Sequence, residues 1–460
     1  MIGLPPFLSF SENERILQLK TLMIILRTVK NISSLNIAAS VLLFLAAILA
    51  AVVANSSLSP VYQDFLLQEL HLRIGNFNLF SHGGHPLKMI EFINDCLMTV
   101  FFLAVGLEIK RELLVGELSS VRKAALPFIA ACGGMVVPVV IYALSVASGT
   151  PETRGMAIPM ATDIAFSLGV LSLLGKRVPL SLKIFLTAFA VVDDIGGILV
   201  IALFYSADVA YGYLIAAAVL YVFLYYMGKF GVTQKIFFLF FGVIIWYLFL
   251  QSGIHSTISG VILAFVIPAR PRLDAGKYIE RIRDIIGEFP VSKSDNIVLT
   301  NAQIATLKQV ERASDYVISP LQSLEDNLHG AVSFVILPLF AFANAGVVFS
   351  GSGSIVGDVS IAVAAGLLLG KFLGIYLFTW LAVKSGVALM PAGMNWKNIA
   401  GVSLLGGIGF TVSLFIANLS FADEYPELLN QAKFGVLVGT VLAGVLGYVM
   451  LNWVLPEREK

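Results

Sequence analysis

The chain has 460 residues, of which 58% are hydrophobic and only 13% are charged, about half the charged share of a soluble domain. A formal net charge of +1, without a basic patch interleaved with aromatic residues, gives no indication that nucleic acid is a partner. The two cysteines, Cys96 and Cys132, lie inside apolar segments and have no metal-ligand spacing, so neither a disulfide framework nor a cofactor is expected.

Apolar stretches of roughly the length that crosses a bilayer recur along the chain. They predict an all-α polytopic membrane protein with twelve transmembrane helices, eight in residues 35–269 and four in residues 326–455. An N-terminal cytoplasmic segment, residues 1–34, precedes them and is amphipathic over residues 16–30. The predicted spans are 35–55, 90–107, 124–147, 157–174, 183–205, 209–228, 236–251, 254–269, 326–349, 358–383, 399–420 and 432–455.

Residues 270–325 form the long polar connection between the eighth and ninth spans. Within it, YIERIRDIIGEF has helical periodicity with charge on one face. The stretch TNAQIATLKQVERA predicts a second short helix, capped by Thr300. We expect two surface helices that cover the cytoplasmic face. A short cytoplasmic tail, residues 456–460, ends the chain.

Basic residues are divided unevenly between the two sides of the predicted membrane. With the N-terminus placed in the cytoplasm, 25 of the 30 Lys and Arg residues fall in inside segments and one lies within a span. Lys and Arg resist translocation, so both termini are predicted to be cytoplasmic. The outside segments hold only Arg73, Lys88, Arg154 and Lys433.

Four ionisable residues lie well inside predicted spans: Asp163, Asp193, Asp194 and Lys371. Each costs about 2.5–3.5 kcal/mol at a helix centre, so the four cost on the order of 10 kcal/mol without compensation. A buried ion pair that only joins helices would account for one acid and one base. It would leave up to two acids without a protein partner, and these must bind protons, cations or both.

Two spans near these acids are predicted to be interrupted. Pro159 precedes the acid in AIPMATDIAFSLG, and proline removes a helix hydrogen bond. The glycines of GGIGFTVS indicate a second break, in the span 399–420. Interrupted segments in corresponding halves of a chain are typical of the binding site of a transporter.

The spacing of Asp193 and Asp194 indicates that the two acids face different partners. Asp193 and Asp194 are about 100° apart around a helix. One of them can therefore turn towards Lys371 while the other turns towards Asp163. Two carboxylates, together with the Thr162 hydroxyl and carbonyls freed at a break, suit a small hard cation.

Six segments together resemble the NhaA family of bacterial sodium/proton antiporters, over nearly all twelve spans. The resemblance implies two inverted-topology repeats, roughly residues 124–205 and 358–455, whose interrupted helices cross at their unwound middles. It implies a multi-pass protein of the bacterial inner membrane and a homodimer, for which part of the outside segment 56–89 is a candidate. The segments are ATDIAFSLG, AVVDDIGGIL, GLEIKREL, LPLFAFANAGV, LLLGKFLGI and GGIGFTVSLFIA.

The same resemblance implies roles for the buried residues. Asp163 and Asp194, with Thr162, match the site that binds Na+ or Li+ and exchanges protons. Asp193 matches the acid that pairs with Lys371. Asp163 also matches the acid that balances one pair of helix ends at the breaks, and Lys371 matches the lysine that balances the other pair.

A second set of residues matches the pH-sensing and entry funnel of the family at its cytoplasmic side. The chain departs from the best-known pattern there, because Ser323 and Asp326 stand where that pattern has a basic residue and a histidine. The polar connection 270–320 is also longer than in compact members. The matched residues are Glu108, Arg111, Glu112, Glu325 and His329.

We therefore expect a secondary active, electrogenic antiporter, not an enzyme, in which Na+ and protons compete for the buried aspartates. Two alternatives stay open. An intramembrane aspartyl protease also places two acids in helices, although Lys371 has no place in that chemistry. A passive cation channel would carry sodium without proton counterflow.

Overall fold

The computed structural model describes residues 37–74, 77–82, 85–205, 209–270, 275–287, 289, 300–349, 354–422 and 424–456. They are mostly helical, with two short antiparallel hairpins that pair Arg73–Ile74 with Phe77–Asn78 and Ser81–His82 with His85–Pro86. The predicted N-terminal segment 1–34 and residues 457–460 of the tail lie outside the described residues.

Among the described residues, eight helices are long and apolar enough to cross a membrane, which makes ten spans if each of two bent helix pairs is counted as one. Two further apolar helices, α8 and α9 below, are shorter. In chain order the helices are α1 (Ile37–Ala54), α2 (Ser59–Leu67), α3 (Met89–Leu114), α4 (Val121–Ser145), α5 (Ile164–Leu173), α6 (Leu180–Phe204), α7 (Tyr211–Lys229), α8 (Lys235–Leu250), α9 (Thr257–Val266), α10 (Ala275–Gly287), α11 (Asn301–Val317), α12 (Pro320–Asn344), α13 (Asp358–Lys384), α14 (Trp396–Leu405), α15 (Phe410–Phe421) and α16 (Pro426–Val454).

The helices agree with the sequence in three respects. Each predicted span overlaps one of them, or one of the bent pairs. The polar connection contains two helices, α10 and α11, as expected. Thr300 caps α11, since its hydroxyl accepts a hydrogen bond from the Gln303 N–H at 3.3 Å while the Gln303 side chain accepts one from the Thr300 N–H at 2.9 Å. This reciprocal pair satisfies two backbone donors that a helix start leaves open.

Both predicted interruptions are present, and they touch each other. The 3₁₀ segment Pro151–Met160 meets α5 at 45°, and α14 meets α15 at 44°. The Asp163 N–H donates to the Ile408 carbonyl at 2.6 Å. The Thr162 hydroxyl lies 2.8 Å from the Gly406 carbonyl. Backbone groups freed at one break are thus satisfied at the other, as burial in a membrane protein requires.

A stripe of glycines brings α13 against α4. Gly366, Gly370 and Gly374 follow one another at intervals of four residues, and so share one helix face. A Cβ at Gly370 would lie 2.6 Å from the Pro138 Cα, and a Cβ at Gly366 would lie 2.7 Å from the Pro159 Cβ. Small residues allow this close approach, which holds the neighbouring Lys371 fully buried.

The packing between helices divides most of them into two groups, and one cluster of buried apolar residues, which includes Phe102, Phe340 and Phe415, lies between the groups. The first, which we call the broken-helix bundle, contains α4, α6, α13, α16 and the two bent pairs; its core includes Leu126, Leu171, Phe189, Ile375, Val402 and Leu451. The second, the flanking bundle, contains α3, α7, α8, α9 and α12; its core includes Leu107, Leu224, Ile245, Leu263 and Leu324. The functional residues lie where the two bundles meet.

Candidate ion-binding site

Two cavities lie between the two bundles, one at each end of the helices. We call them inner and outer, after the sides that the basic residues predict. The inner cavity has a volume of about 280 Å³ and reaches Thr162, Asp163 and Asp194 at the helix breaks. The outer cavity has a volume of about 620 Å³ and ends at Asn94, Asp95, His255, Phe415 and Asn418, without any acid of the breaks in its lining.

Asp163 joins the starts of two helices. It is the N-cap of α5, where its Oδ1 accepts a hydrogen bond from the Phe166 N–H at 3.0 Å. Its Oδ2 accepts from the Thr411 N–H at 3.1 Å and from the Thr411 hydroxyl at 2.6 Å, at the start of α15. Helix N-termini carry partial positive charge. The negative charge of Asp163 is therefore stabilised by two helix starts that face each other.

Asp193 is matched by a lysine. Its Oδ2 forms an ion pair with Lys371 Nζ, with both side chains fully buried. The Thr162 hydroxyl lies 2.7 Å from the same oxygen. The other oxygen, Oδ1, has no hydrogen-bond partner among the described residues. Asp193 and Lys371 thus neutralise each other beside the breaks.

Asp194 follows directly in α6 but turns towards the inner cavity. It is 5% exposed, and no group in the described part of the chain forms a hydrogen bond or an ion pair with it. Asp163 is engaged by N–H and O–H donors, and Asp193 by an ammonium. Asp194 is therefore the acid of the three whose oxygens are free to take a proton or a cation.

At the mouth of the inner cavity, Arg111 joins two carboxylates. Its Nη1 lies 2.9 Å from Glu112 Oε1, and its Nε lies 2.9 Å from Glu325 Oε1. Glu112 also accepts a hydrogen bond from the Glu117 N–H at 3.0 Å and does not line the cavity. Glu108 and His329 do line it, so four of the five matched funnel residues surround this mouth.

Comparison with known proteins shows the family of the chain. Residues 30–451 match the family described as Na+/H+ antiporter 1. The chain belongs to that family. It is 74% identical to a Na(+)/H(+) antiporter NhaA of Bacteroides thetaiotaomicron over 438 residues, which cover 95% of this chain and all of the relative. It is 62% identical to the NhaA of Phocaeicola vulgatus over 89% of this chain and 92% of the relative.

A more distant relative, the Na(+)/H(+) antiporter NhaA 1 of Saccharophagus degradans, is 42% identical over 91% of this chain and 90% of its own length. The resemblance read from the six segments is thereby confirmed. Members of the antiporter family are transporters and not enzymes. Neither the protease nor the channel alternative gains support from these relatives.

The structure gathers the predicted ion-site residues of the antiporter family, but it divides their contacts differently from the expectation. Thr162, Asp163 and Asp194 do line one cavity. The Thr162 hydroxyl, however, lies against Asp193 and not against Asp194. The oxygens of Asp163 already have three donors. The expected pairing of Asp193 with Lys371 is the arrangement observed.

The departure at Ser323 also has a structural counterpart. Where the family pattern carries a basic residue on this helix, the Lys235 ammonium at the start of α8 lies 2.7 Å from the Ser323 hydroxyl. A positive charge thus reaches the same point from another helix. Asp326 does not line the inner cavity.

Sequence reasoning missed the residues that separate the cavities. The Phe415 ring packs against Phe102 and Phe340, with ring centroids 5.5 Å and 6.3 Å apart, and against His255 at 5.2 Å. These rings close the path between the outer cavity and the breaks, so Asp194 is reached from the inner side. Thr411 was missed as well, although it lies within GGIGFTVS, one of the quoted segments.

Proposed function

We propose that the protein is a secondary active antiporter that exports Na+ or Li+ in exchange for H+, with Asp194 as the group for which ion and proton compete. The observation that carries this proposal is the position of an unmatched carboxylate at the closed end of the inner cavity. Carboxylate oxygen suits a small hard cation. Asp163 and Thr162, which line the same cavity, complete the surroundings of the ion.

Competition at one carboxylate explains why the two fluxes are coupled. A proton and a sodium ion each neutralise Asp194, so the transition that exposes the site to the other side of the membrane can occur with either one bound. The bare carboxylate is costly to enclose in apolar surroundings, so the unloaded form does not make that transition. Sodium binds from the inner side, protons displace it at the outer side, and the protonated form returns.

Exchange of more than one proton per ion makes transport electrogenic. Asp194 releases one proton when sodium binds, and we propose that a second group of the Asp163, Asp193 and Lys371 cluster releases another. Net positive charge then enters with each cycle. A membrane potential that is negative inside therefore drives export, with about 2.3 kcal/mol per charge for each 100 mV.

We further propose the membrane arrangement that the family resemblance implies. The ten spans and the two shorter apolar helices together make twelve crossings in the bacterial inner membrane, with both termini in the cytoplasm. The two bent pairs occupy corresponding places in inverted repeats, residues 124–205 and 358–455. The polar connection 270–325 covers the cytoplasmic face, and a homodimer uses part of the segment 56–89, which contains both hairpins.

The test is sodium-driven proton movement in proteoliposomes that contain purified protein and an internal pH indicator. We expect the wild-type protein to move protons in the direction opposite to an imposed sodium gradient, at a rate that changes with an imposed membrane potential. Asp194→Asn and Asp163→Asn should lower the rate about 100-fold or more, whereas Asp326→Asn, a matched change outside the cavity, should retain it.

Three results would contradict the proposal. Sodium flux without proton counterflow would indicate a channel. Absence of sodium-dependent proton movement in folded wild-type protein would remove the antiport function. Full exchange in Asp194→Asn would leave antiport intact but would remove Asp194 as the site.

A further inference from the structure

Three asparagine side chains form a hydrogen-bonded network at the floor of the outer cavity. Asn344, which is fully buried, donates to Asn94 Oδ1 at 2.8 Å and accepts from Asn94 Nδ2 at 3.3 Å. Asn418 Nδ2 donates to Asn344 Oδ1 at 2.8 Å. Asn94 and Asn418 line the outer cavity, so the network lies between that cavity and the apolar core beneath.

The network crosses from one bundle to the other at a single point. Asn94 and Asn344 belong to α3 and α12 of the flanking bundle, whereas Asn418 belongs to α15 of the broken-helix bundle. The Asn344 amide is further fixed to its own helix by a bond to the Phe340 carbonyl at 3.0 Å. Within this network, the bond from Asn418 to Asn344 is the one that joins the two bundles.

On the flanking bundle, the turn that carries Asn94 is stabilised by further hydrogen bonds. Asn94 lies in a π-helical turn, Ile93–Leu97, and such turns recur at functional sites. The Asp95 carbonyl in that turn accepts hydrogen bonds from the Thr99 hydroxyl at 2.5 Å and from the Trp246 ring N–H at 3.3 Å. Asn418 also donates to the carbonyl of Leu414 on its own helix at 2.8 Å. If the bundles separate at the outer side, the bond between Asn418 and Asn344 therefore breaks, while Asn344 keeps its bonds to Asn94.

The polar layer lies directly above the aromatic barrier. Phe340 precedes Asn344 by four residues and Phe415 precedes Asn418 by three, so each ring lies about one helical turn below its asparagine. On α15, Val412 lines the inner cavity and Phe415 lines the outer one. Three residues, or about 4–5 Å of helix, separate the two cavities at this point.

We propose that Asn418 is an external gate residue, whose hydrogen bond to Asn344 holds the bundles together over the Phe415 barrier and must break before Asp194 is reached from outside. This inference rests on the proposed antiport function, which requires access from both sides in turn. The bond suits repeated opening, because the freed Asn418 amide lines the outer cavity, where water can satisfy it, while Asn344 Oδ1 still accepts from Asn94.

The test measures access from each side and does not require transport. A single reporter cysteine, Val412→Cys, lines the inner cavity and is introduced after Cys96→Ser and Cys132→Ser. A membrane-impermeant maleimide is applied to right-side-out and to inside-out vesicles. We expect Asn418→Ala to raise the ratio of outside to inside labelling rates about threefold, the worth of one average side-chain hydrogen bond between helices in a membrane.

Two further variants keep the test decisive. Asn418→Ser is too short to reach Asn344 and should shift the ratio in the same direction. Ser420→Ala is the matched control: this buried residue lies on the same helix, but its bonds to the Tyr205 hydroxyl at 3.0 Å and the Ile416 carbonyl at 2.7 Å stay within the broken-helix bundle. It should leave the ratio unchanged.

An unchanged ratio in folded Asn418→Ala and Asn418→Ser would overturn the gate, as would an equal shift in Ser420→Ala. These outcomes are separate from those of the proposed function. Failure of the wild-type protein to exchange Na+ for H+ would remove the antiport proposal, whereas the labelling ratio would still report whether Asn418 holds the outer side closed.

Discussion

The inner and outer cavities both contain carboxylates, but only the inner cavity contains carboxylates that have no partner among the described residues. In the outer cavity each acid has a partner: Glu69 lies 3.5 Å from His71, Asp95 lies 3.4 Å from His255, and Glu91 accepts a hydrogen bond from the Lys88 N–H at 2.9 Å. In the inner cavity, Asp163 and Glu325 have partners as well, but Glu108 and Asp194 have no ion pair or hydrogen bond to any described residue.

The difference distinguishes acids that stabilise the structure of a cavity from acids that can bind the transported ion. A carboxylate whose oxygens are occupied by imidazole or N–H donors has little capacity for a metal ion. Glu108 near the mouth and Asp194 at the end keep that capacity, and they mark a path for cations through the inner cavity. Matched substitutions in the two cavities test whether the acids of each cavity behave differently.

The largest expected effect on stability is at the buried pair beside the inner cavity. Lys371→Met would leave Asp193 buried without a positive partner and lower the free energy of unfolding by about 3–5 kcal/mol. The corresponding outer change, His255→Gln, removes the 3.4 Å contact between the imidazole and Asp95 and should cost about 1 kcal/mol. Thermal melting in detergent, with a fluorescent reporter of unfolding, compares the two.

A double variant sharpens that result. Asp193→Leu combined with Lys371→Met removes both charges, and we expect it to recover most of the stability lost in Lys371→Met. The oxygen of Asp193 that has no partner in the described structure favours such recovery. If the double variant melts below Lys371→Met, the pair does not neutralise itself as described.

An intermediate effect is expected where Thr411 holds Asp163. Thr411→Val keeps the shape of the side chain and the backbone donor but removes the 2.6 Å hydroxyl bond. A hydrogen bond to a charged group is worth about 1.5–3 kcal/mol, so the exchange rate should fall about tenfold or more. Ser256→Ala, beside Asp95 in the outer cavity, should change it less than about twofold. Similar losses in both variants would erase the distinction between the cavities.

The sequence predicted the elements of this site better than their contacts. Apolar length located the helices, and Pro159 and the GGIGFTVS glycines located both breaks, since these residues weaken a helix by local chemistry. Helical spacing also showed that Asp193 and Asp194 face different ways. Which acid keeps its oxygens free depends on donors such as Thr411, about 250 residues away in the chain, and spacing does not reveal these. The link from Asn418 to Asn344 had no sequence signal for the same reason.

The smallest expected effect concerns attraction of the ion at the mouth. Glu108→Gln removes one negative charge from the inner cavity and should raise the apparent KM for sodium on that side about threefold, with Vmax unchanged. Raising the ionic strength with choline chloride should shrink the difference, because salt screens the charge. Glu91→Gln in the outer cavity should leave the inner KM as it is. An equal rise in both variants would indicate a general change of surface charge.

Sodium and protons are proposed to compete for the same carboxylate, Asp194, through the inner cavity. The decisive measurement is the initial exchange rate against sodium concentration on the inner side, at a series of pH values. We expect the apparent KM to rise about tenfold for each unit of falling pH once Asp194 is protonated, with Vmax at saturating sodium unchanged, because only the deprotonated fraction binds the ion. A KM that stays constant while Vmax falls would place the proton elsewhere and contradict the claim.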